Sequence, residues 1–143
     1  MIRPIEPRDY DRFSELAGQL GYPVTAEFAA AQLTKESLRS DSVTFVYDEP
    51  SAGVVGWVAC RIVERSYRRP YGEIAGLVID KAHRSRGYGA ELLAEAEDWF
   101  RAQSVPEVLV RSNTLRTEAH RFYDREGYFR AKTQQVFTKD LES

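Results

Sequence analysis

The stretch Ile79-Asp80-Lys81-Ala82-His83-Arg84-Ser85-Arg86-Gly87-Tyr88-Gly89-Ala90 holds the densest chemistry in the chain. A β-rich run precedes it and a helical pattern follows, so backbone N–H groups at the helix start are free to face a ligand. Glycines remove the Cβ that would keep an anion away, and the helix dipole favours negative charge there. Arg84 and Arg86 add cationic donors. That combination suits a phosphate or pyrophosphate. The plainer alternative is a tight helix-entry turn whose glycines serve only backbone geometry. Three better-known motifs fail on the same residues. A dinucleotide fingerprint needs Gly or Ala where Leu92 stands, and a P-loop needs a Lys that follows neither Gly87 nor Gly89. The RNA-recognition pattern breaks at Ala90-Glu91.

Other reactive side chains point to packing. Cys60 sits in Val54-x-Gly56-x-Val58-x-Cys60-x-Ile62, an apolar face of period two, where a cysteine behaves as a small hydrophobe. A covalent route through it is therefore not expected. His83 and His120 lie far apart without cysteine partners at ligand spacing, so no metal site is expected.

The elements that must position the turn follow from periodicity. Residues 2–5 read as a first strand. Tyr10, Phe13, Leu16, Ala17 and Leu20 recur at helical spacing until Gly21 and Pro23, and Thr25 can cap a second helix carrying Phe28 and Leu33. Residues 43–47 and 54–64 flank a turn set and predict a hairpin. A strand over 72–79 leads into the glycine turn. Leu92, Leu93, Ala96, Trp99 and Phe100 mark a helix, residues 107–111 a short strand, and Leu115, Ala119, Phe122 and Tyr123 a helix ended by Gly127. Residues 128–141 supply one or two closing strands. The expected class is mixed α/β in one domain over 1–143.

Composition narrows the function. The 143 residues carry 20 Lys+Arg against 22 Asp+Glu, a formal charge of -2, which argues against a nucleic-acid partner. No apolar run approaches the ~20 residues of a membrane span. The single cysteine excludes an internal disulfide, and the expected compartment is the cytoplasm.

The turn also fits [QR]-x-x-G-x-[GA], as Arg84-Ser85-Arg86-Gly87-Tyr88-Gly89. With the strand Glu73-Ile74-Ala75-Gly76-Leu77-Val78-Ile79 before it, and Ser112-Asn113, Ala119-His120-Arg121-Phe122-Tyr123 and Gly127-Tyr128 after it, the chain resembles the GCN5-related N-acetyltransferase superfamily. The resemblance spans most of the chain and is weakest over 22–42. It implies a central splayed sheet flanked by helices, with acetyl-coenzyme A across the turn. Arg84 is the signature's first residue, and the N–H groups of Arg86, Gly87, Tyr88, Gly89 and Ala90 would bind the pyrophosphate. The main chain of Leu77, Val78 and Ile79 would pair with the pantetheine arm, and Asn113 would support that arm. The Val78 N–H would meet the thioester oxygen, and Tyr123 would serve the leaving sulfur.

An acceptor amine of pKa ~10.4 is neutral in about one molecule per 2,500 at pH 7, roughly 4.6 kcal/mol uphill. Glu73, at the spacing of the glutamate in the histone-acetylating branch, is the expected base, with Glu64 the alternative. The expected reaction is direct attack of a small primary amine in a ternary complex. A protein lysine or N-terminal acceptor, and a non-catalytic acetyl-coenzyme A sensor, remain alternatives, and a homodimer is left open.

Overall fold

The computed structural model describes residues 1–112 and 114–142. Contacts divide the chain into Met1–Arg111 and Ser112–Ser143. The first unit runs β1 (Ile2–Pro4), a 3-10 turn, α1 (Tyr10–Leu20), α2 (Ala26–Ser37), β2 (Ser42–Glu49), β3 (Gly53–Arg65), β4 (Arg68–Ile79), a second 3-10 turn (Lys81–His83), α3 (Tyr88–Ala102) and β5 (Val108–Val110). The strands form one sheet in chain order. The first four are antiparallel neighbours and β5 joins β4 in parallel, making the sheet mixed.

Local chemistry sets the helix limits. Gly21 at φ 103° closes α1, since a left-handed residue ends a helix at least strain when it is glycine. The Thr25 hydroxyl caps α2 by accepting the Phe28 N–H at 3.0 Å. Strand alternation then sends neighbouring side chains to opposite faces. Trp57 and Val78 join Leu16, Ala17 and Val46 in the core beneath α1. The intervening positions face α3: Gly56 lies under Leu92 and Ile79, and Gly72 under the ring of Phe100. The sheet is thus covered by α1 and α2 on one side and α3 on the other.

The second unit holds α4 (Thr117–Arg125). Gly127 at φ 91° occupies the expected stop, and the Tyr128 N–H donates to the Tyr123 carbonyl at 2.9 Å. The closing strands expected over 128–141 are not formed among the described residues. A strand is stabilised by its ladder and by cross-strand packing. Here Phe129, Val136, Phe137 and Leu141 are exposed.

Candidate active site

The site begins with a change of phase in β4. Opposite β3, Cys60 registers with Ile74 but Ala59 registers with Gly76, so Ala75 is an extra residue, a bulge. Before it, the Gly72 N–H points toward β5, donating to the Glu107 carbonyl at 2.7 Å. After it, the Asp80 N–H points toward β3, donating to the Val55 carbonyl at 2.7 Å. Antiparallel ladders alternate, so Val78 opposite Trp57 is also turned toward β3, and the main chains of Leu77 and Ile79 face the other way. On that side β5 registers only with Gly72, Glu73 and Ile74. The Ile79 carbonyl instead accepts a hydrogen bond from Arg84 Nε at 3.0 Å. The N–H assigned from the sequence to the thioester oxygen, that of Val78, is therefore in the ladder, because the bulge moved the free groups to its neighbours.

β4 runs directly into the glycine turn. Ser85 and Gly87 adopt φ 64° and 83°, and α3 starts at Tyr88. A Cβ on Gly87 would meet nothing within 4 Å, so this glycine answers to backbone geometry rather than crowding by the protein. The Glu91 N–H reaches the Gly87 carbonyl, closing the first helical turn and leaving the N–H groups of Tyr88, Gly89 and Ala90 without intrahelical acceptors. Arg84 and Arg86 are exposed beside them. Tyr88 is fixed by stacking on Tyr47 at 4.2 Å. Orphan donors, a helix dipole and two guanidinium groups fit a pyrophosphate.

The sequence did not reveal what holds this turn. Asp80 accepts from Arg12 Nη2 at 2.8 Å, Gln19 Nε2 at 3.2 Å and the Ala82 N–H at 3.3 Å. Gln19 Oε1 in turn accepts the Lys81 N–H at 2.9 Å. The Gln19 hydrogen bond, with the Ala82 and Arg12 bonds and against burial, lowers the Asp80 carboxyl pKa to about 2. Each partner from α1 lies over 60 positions away, and no local pattern announces the pairing.

Glu73 lies on the α1/α2 side of the sheet, directly opposite Arg61 of β3. Arg111 Nη1 donates to its Oε2 at 2.5 Å. Glu73, Glu64, Arg61 and Arg111 line a polar cavity of about 360 Å³. Along the same face, an apolar groove of about 220 Å³ runs over Trp57, Ala59, Ala75 and Gly76 beneath α1 and α2. Cys60 is buried, and that burial pushes its thiol up to about 12, so it is no nucleophile.

In the second unit, Tyr123 follows Ala119 by one helical turn and makes edge-on ring contacts with Phe122 and Tyr128 at 5.1 and 5.7 Å. Burial raises its hydroxyl pKa above the ordinary value, with Arg116 opposing. It therefore stays protonated, able to donate. Asn113 lies outside the described residues. No group of three or more His, Cys, Asp or Glu suited to a metal is found among the described residues. No described helix is long and apolar enough to cross a membrane.

Beyond Ile74 the β4 edge has no strand partner among the described residues and runs into a glycine turn and a helix start, an arrangement that suits a long, pyrophosphate-bearing molecule. The model of the acetyltransferase (GNAT) family matches residues 8–128, and the chain belongs to that family of acyl-transfer enzymes, whose acetyl donor is acetyl-coenzyme A. Among curated relatives, the uncharacterized N-acetyltransferase YhdJ of Bacillus subtilis is 45% identical over 56 residues, 38% of this chain and 39% of its own. The aminoalkylphosphonate N-acetyltransferase of Salmonella typhimurium is 40% identical over 70 residues, 49% of this chain and 44% of its own. The matched segments thus span less than half of those relatives. A putative acetyltransferase from Agrobacterium tumefaciens of known structure is 25% identical with TM-score 0.84, over 97% of this chain and 99% of its own.

Proposed function

We propose that residues 1–143 act as one N-acetyltransferase domain in the cytoplasm, moving acetyl from acetyl-coenzyme A to a small primary amine by direct attack. The observation that carries this is the continuity of the free β4 edge with the glycine turn. When bound, acetyl-coenzyme A supplies an activated acyl group. The N–H groups of Tyr88, Gly89 and Ala90, with Arg84 and Arg86, hold its pyrophosphate. Leu77 and Ile79 pair with its pantetheine arm, and Arg84 yields the Ile79 carbonyl to it. The Leu77 N–H takes the role first assigned to Val78, donating to the thioester oxygen as negative charge develops there.

Glu73 takes the ammonium proton, directly or through water, so that the neutral nitrogen attacks the acyl carbon. Arg111 covers one carboxylate oxygen and leaves Oε1 without a hydrogen bond among the described residues. The C–S bond breaks as the tetrahedral adduct collapses, the Tyr123 hydroxyl donates its proton to the departing sulfur, and the surplus proton on the acylated nitrogen returns through water to the Tyr123 phenolate. Asn113 supports the pantetheine arm. The aminoalkylphosphonate relative acts, by its name, on a small amine, which favours a small acceptor over a protein one.

The test is release of free coenzyme A thiol on mixing the protein, acetyl-coenzyme A and a panel of amines. Amine-dependent release with the N-acetyl product is expected. Tight cofactor binding without release on any amine would instead support a sensor.

A further inference from the structure

The polar cavity around Glu73 carries more positive than negative charge. Four guanidinium groups and three carboxylates line its volume of about 360 Å³. Arg39 forks onto Asp41 through contacts of 2.8 and 2.7 Å, and Arg111 is held by Glu73 at 2.5 Å. Arg65 turns back to the Glu64 carbonyl at 3.2 Å. That leaves Arg61. Among the described residues its guanidinium makes no hydrogen bond and no ion pair. Its charge reaches the carboxyls of Glu36 and Asp41 only through space.

Arg61 stands directly opposite Glu73 across β3 and β4. Side chains paired in this way start about 5 Å apart on one face of the sheet. Glu73 nevertheless spends its Oε2 on Arg111, and no ion pair joins it to Arg61 among the described residues. A cation and an anion, each with hydrogen-bonding capacity in hand, therefore share one cavity. An ammonium group on its way to Glu73 meets the like charges of Arg61 and Arg111, which oppose its entry. An oxyanion carried on the same molecule and placed on Arg61 offsets that repulsion.

We propose that the acceptor is a short zwitterion, a primary amine joined through a few carbons to a carboxylate or phosphonate, with Arg61 as the specificity-determining residue that binds the oxyanion. This rests on the acetyltransfer proposed above and narrows its substrate. The planar guanidinium can donate two parallel N–H bonds to either oxyanion. The ammonium goes to Glu73, which takes its proton, so the two ends of the acceptor have separate partners. The closeness of the two positions favours a spacer of about one to three carbons. A polyamine or aminoglycoside brings several cations and no anion to a cavity already in positive excess, and is disfavoured by charge.

The experiment sets β-alanine and aminoethylphosphonate against β-alaninamide, propylamine and spermidine on the full chain, by thiol release and by calorimetric binding. β-Alaninamide keeps the amine and the length and removes only the negative charge. The two zwitterions are expected to exceed the other three in kcat/KM by at least about tenfold, and whichever of the two leads identifies the oxyanion. Arg61→Gln is expected to lower kcat/KM at least about tenfold more for β-alanine than for β-alaninamide, chiefly through KM. Arg61→Lys, which keeps the charge without the fork, should fall between. A preference for β-alaninamide, propylamine or spermidine overturns the proposal while acetyltransfer stands. So does a folded Arg61→Gln variant in which β-alanine and β-alaninamide lose equally. Arg61-dependent binding of either zwitterion with no turnover on any amine supports the anion site and overturns the acetyltransfer instead. Should Arg61→Gln fail to fold, Arg61→Lys and the wild-type ranking decide.

Discussion

Gln19 of α1 grips the start of the glycine turn with both ends of its amide: Nε2 donates to Asp80 Oδ1 at 3.2 Å, and Oε1 accepts the Lys81 N–H at 2.9 Å. Arg12, one residue from the groove-lining Phe13, holds the other Asp80 oxygen at 2.8 Å. The helix that walls the groove is therefore tied to the strand end from which the pyrophosphate turn departs.

Asp80→Asn should loosen that tie. With the turn shifted, acetyl-coenzyme A Kd is expected to rise by about tenfold, measured by calorimetry. The same change predicts a pH signature. Because the folded pKa of Asp80 is lowered, to about 2, its stabilisation is full above about pH 4 and lost as pH falls through about 2. Urea unfolding of wild type and variant should show a stability gap above pH 4 that closes between pH 4 and 2. A gap constant across that window contradicts the assignment.

Gly87→Val should separate folding from cofactor binding. At φ 83° a β-branched residue is strained by about 1–2 kcal/mol, although no protein atom would meet its Cβ. A folded but less stable protein is expected, with acetyl-coenzyme A affinity down by more than about tenfold because the side chain fills the pyrophosphate's place. Wild-type affinity in that variant would remove the turn from the binding site.

How much of this was legible in the sequence depends on whether its cause is local. The glycine turn, the Thr25 cap and the Gly127 stop follow from backbone preferences of the residues themselves, and each is found where its residues predicted. The bulge at Ala75 is not local. Nothing in Ile74-Ala75-Gly76 marks an extra residue; only the register against Ala59 and Cys60 reveals it, and that one-residue shift moves the free N–H from Val78 to its neighbours. The Gln19–Asp80 contact joins residues 61 positions apart. The strands expected beyond Tyr128, where Val136-Phe137-Thr138-Lys139 resembles the family's closing strand, need a partner strand to form, and that is not a local property.

Glu73→Gln should change the shape of the pH–rate profile. Deprotonating the amine costs roughly 4.6 kcal/mol at pH 7 and less at alkaline pH. The rate loss should therefore be greatest near neutrality and shrink as the amine titrates. An unchanged profile would exclude Glu73 as the base and leave Glu64, which lines the same cavity, or water.

Tyr123→Phe keeps the ring contacts with Phe122 and Tyr128 and removes only the hydroxyl, so stability should change little. Turnover is expected to fall by about 10- to 100-fold with cofactor affinity nearly constant. An acetyl donor with a more acidic thiol should narrow the deficit. Wild-type turnover, measured where chemistry limits the rate, would leave Tyr123 with packing alone.

Amide hydrogen exchange resolved by residue shows whether the bulge presents the main chain of Leu77 and Ile79 to acetyl-coenzyme A. In the free protein the Val78 N–H should already be protected by its bond to β3, while those of Leu77 and Ile79 exchange quickly. Saturating acetyl-coenzyme A should slow Leu77, Ile79, Tyr88, Gly89 and Ala90 and leave Val78 as it was. A Val78 amide that is open in the free protein and becomes protected with cofactor, or no change at Leu77 and Ile79, would place the cofactor elsewhere than on these two residues.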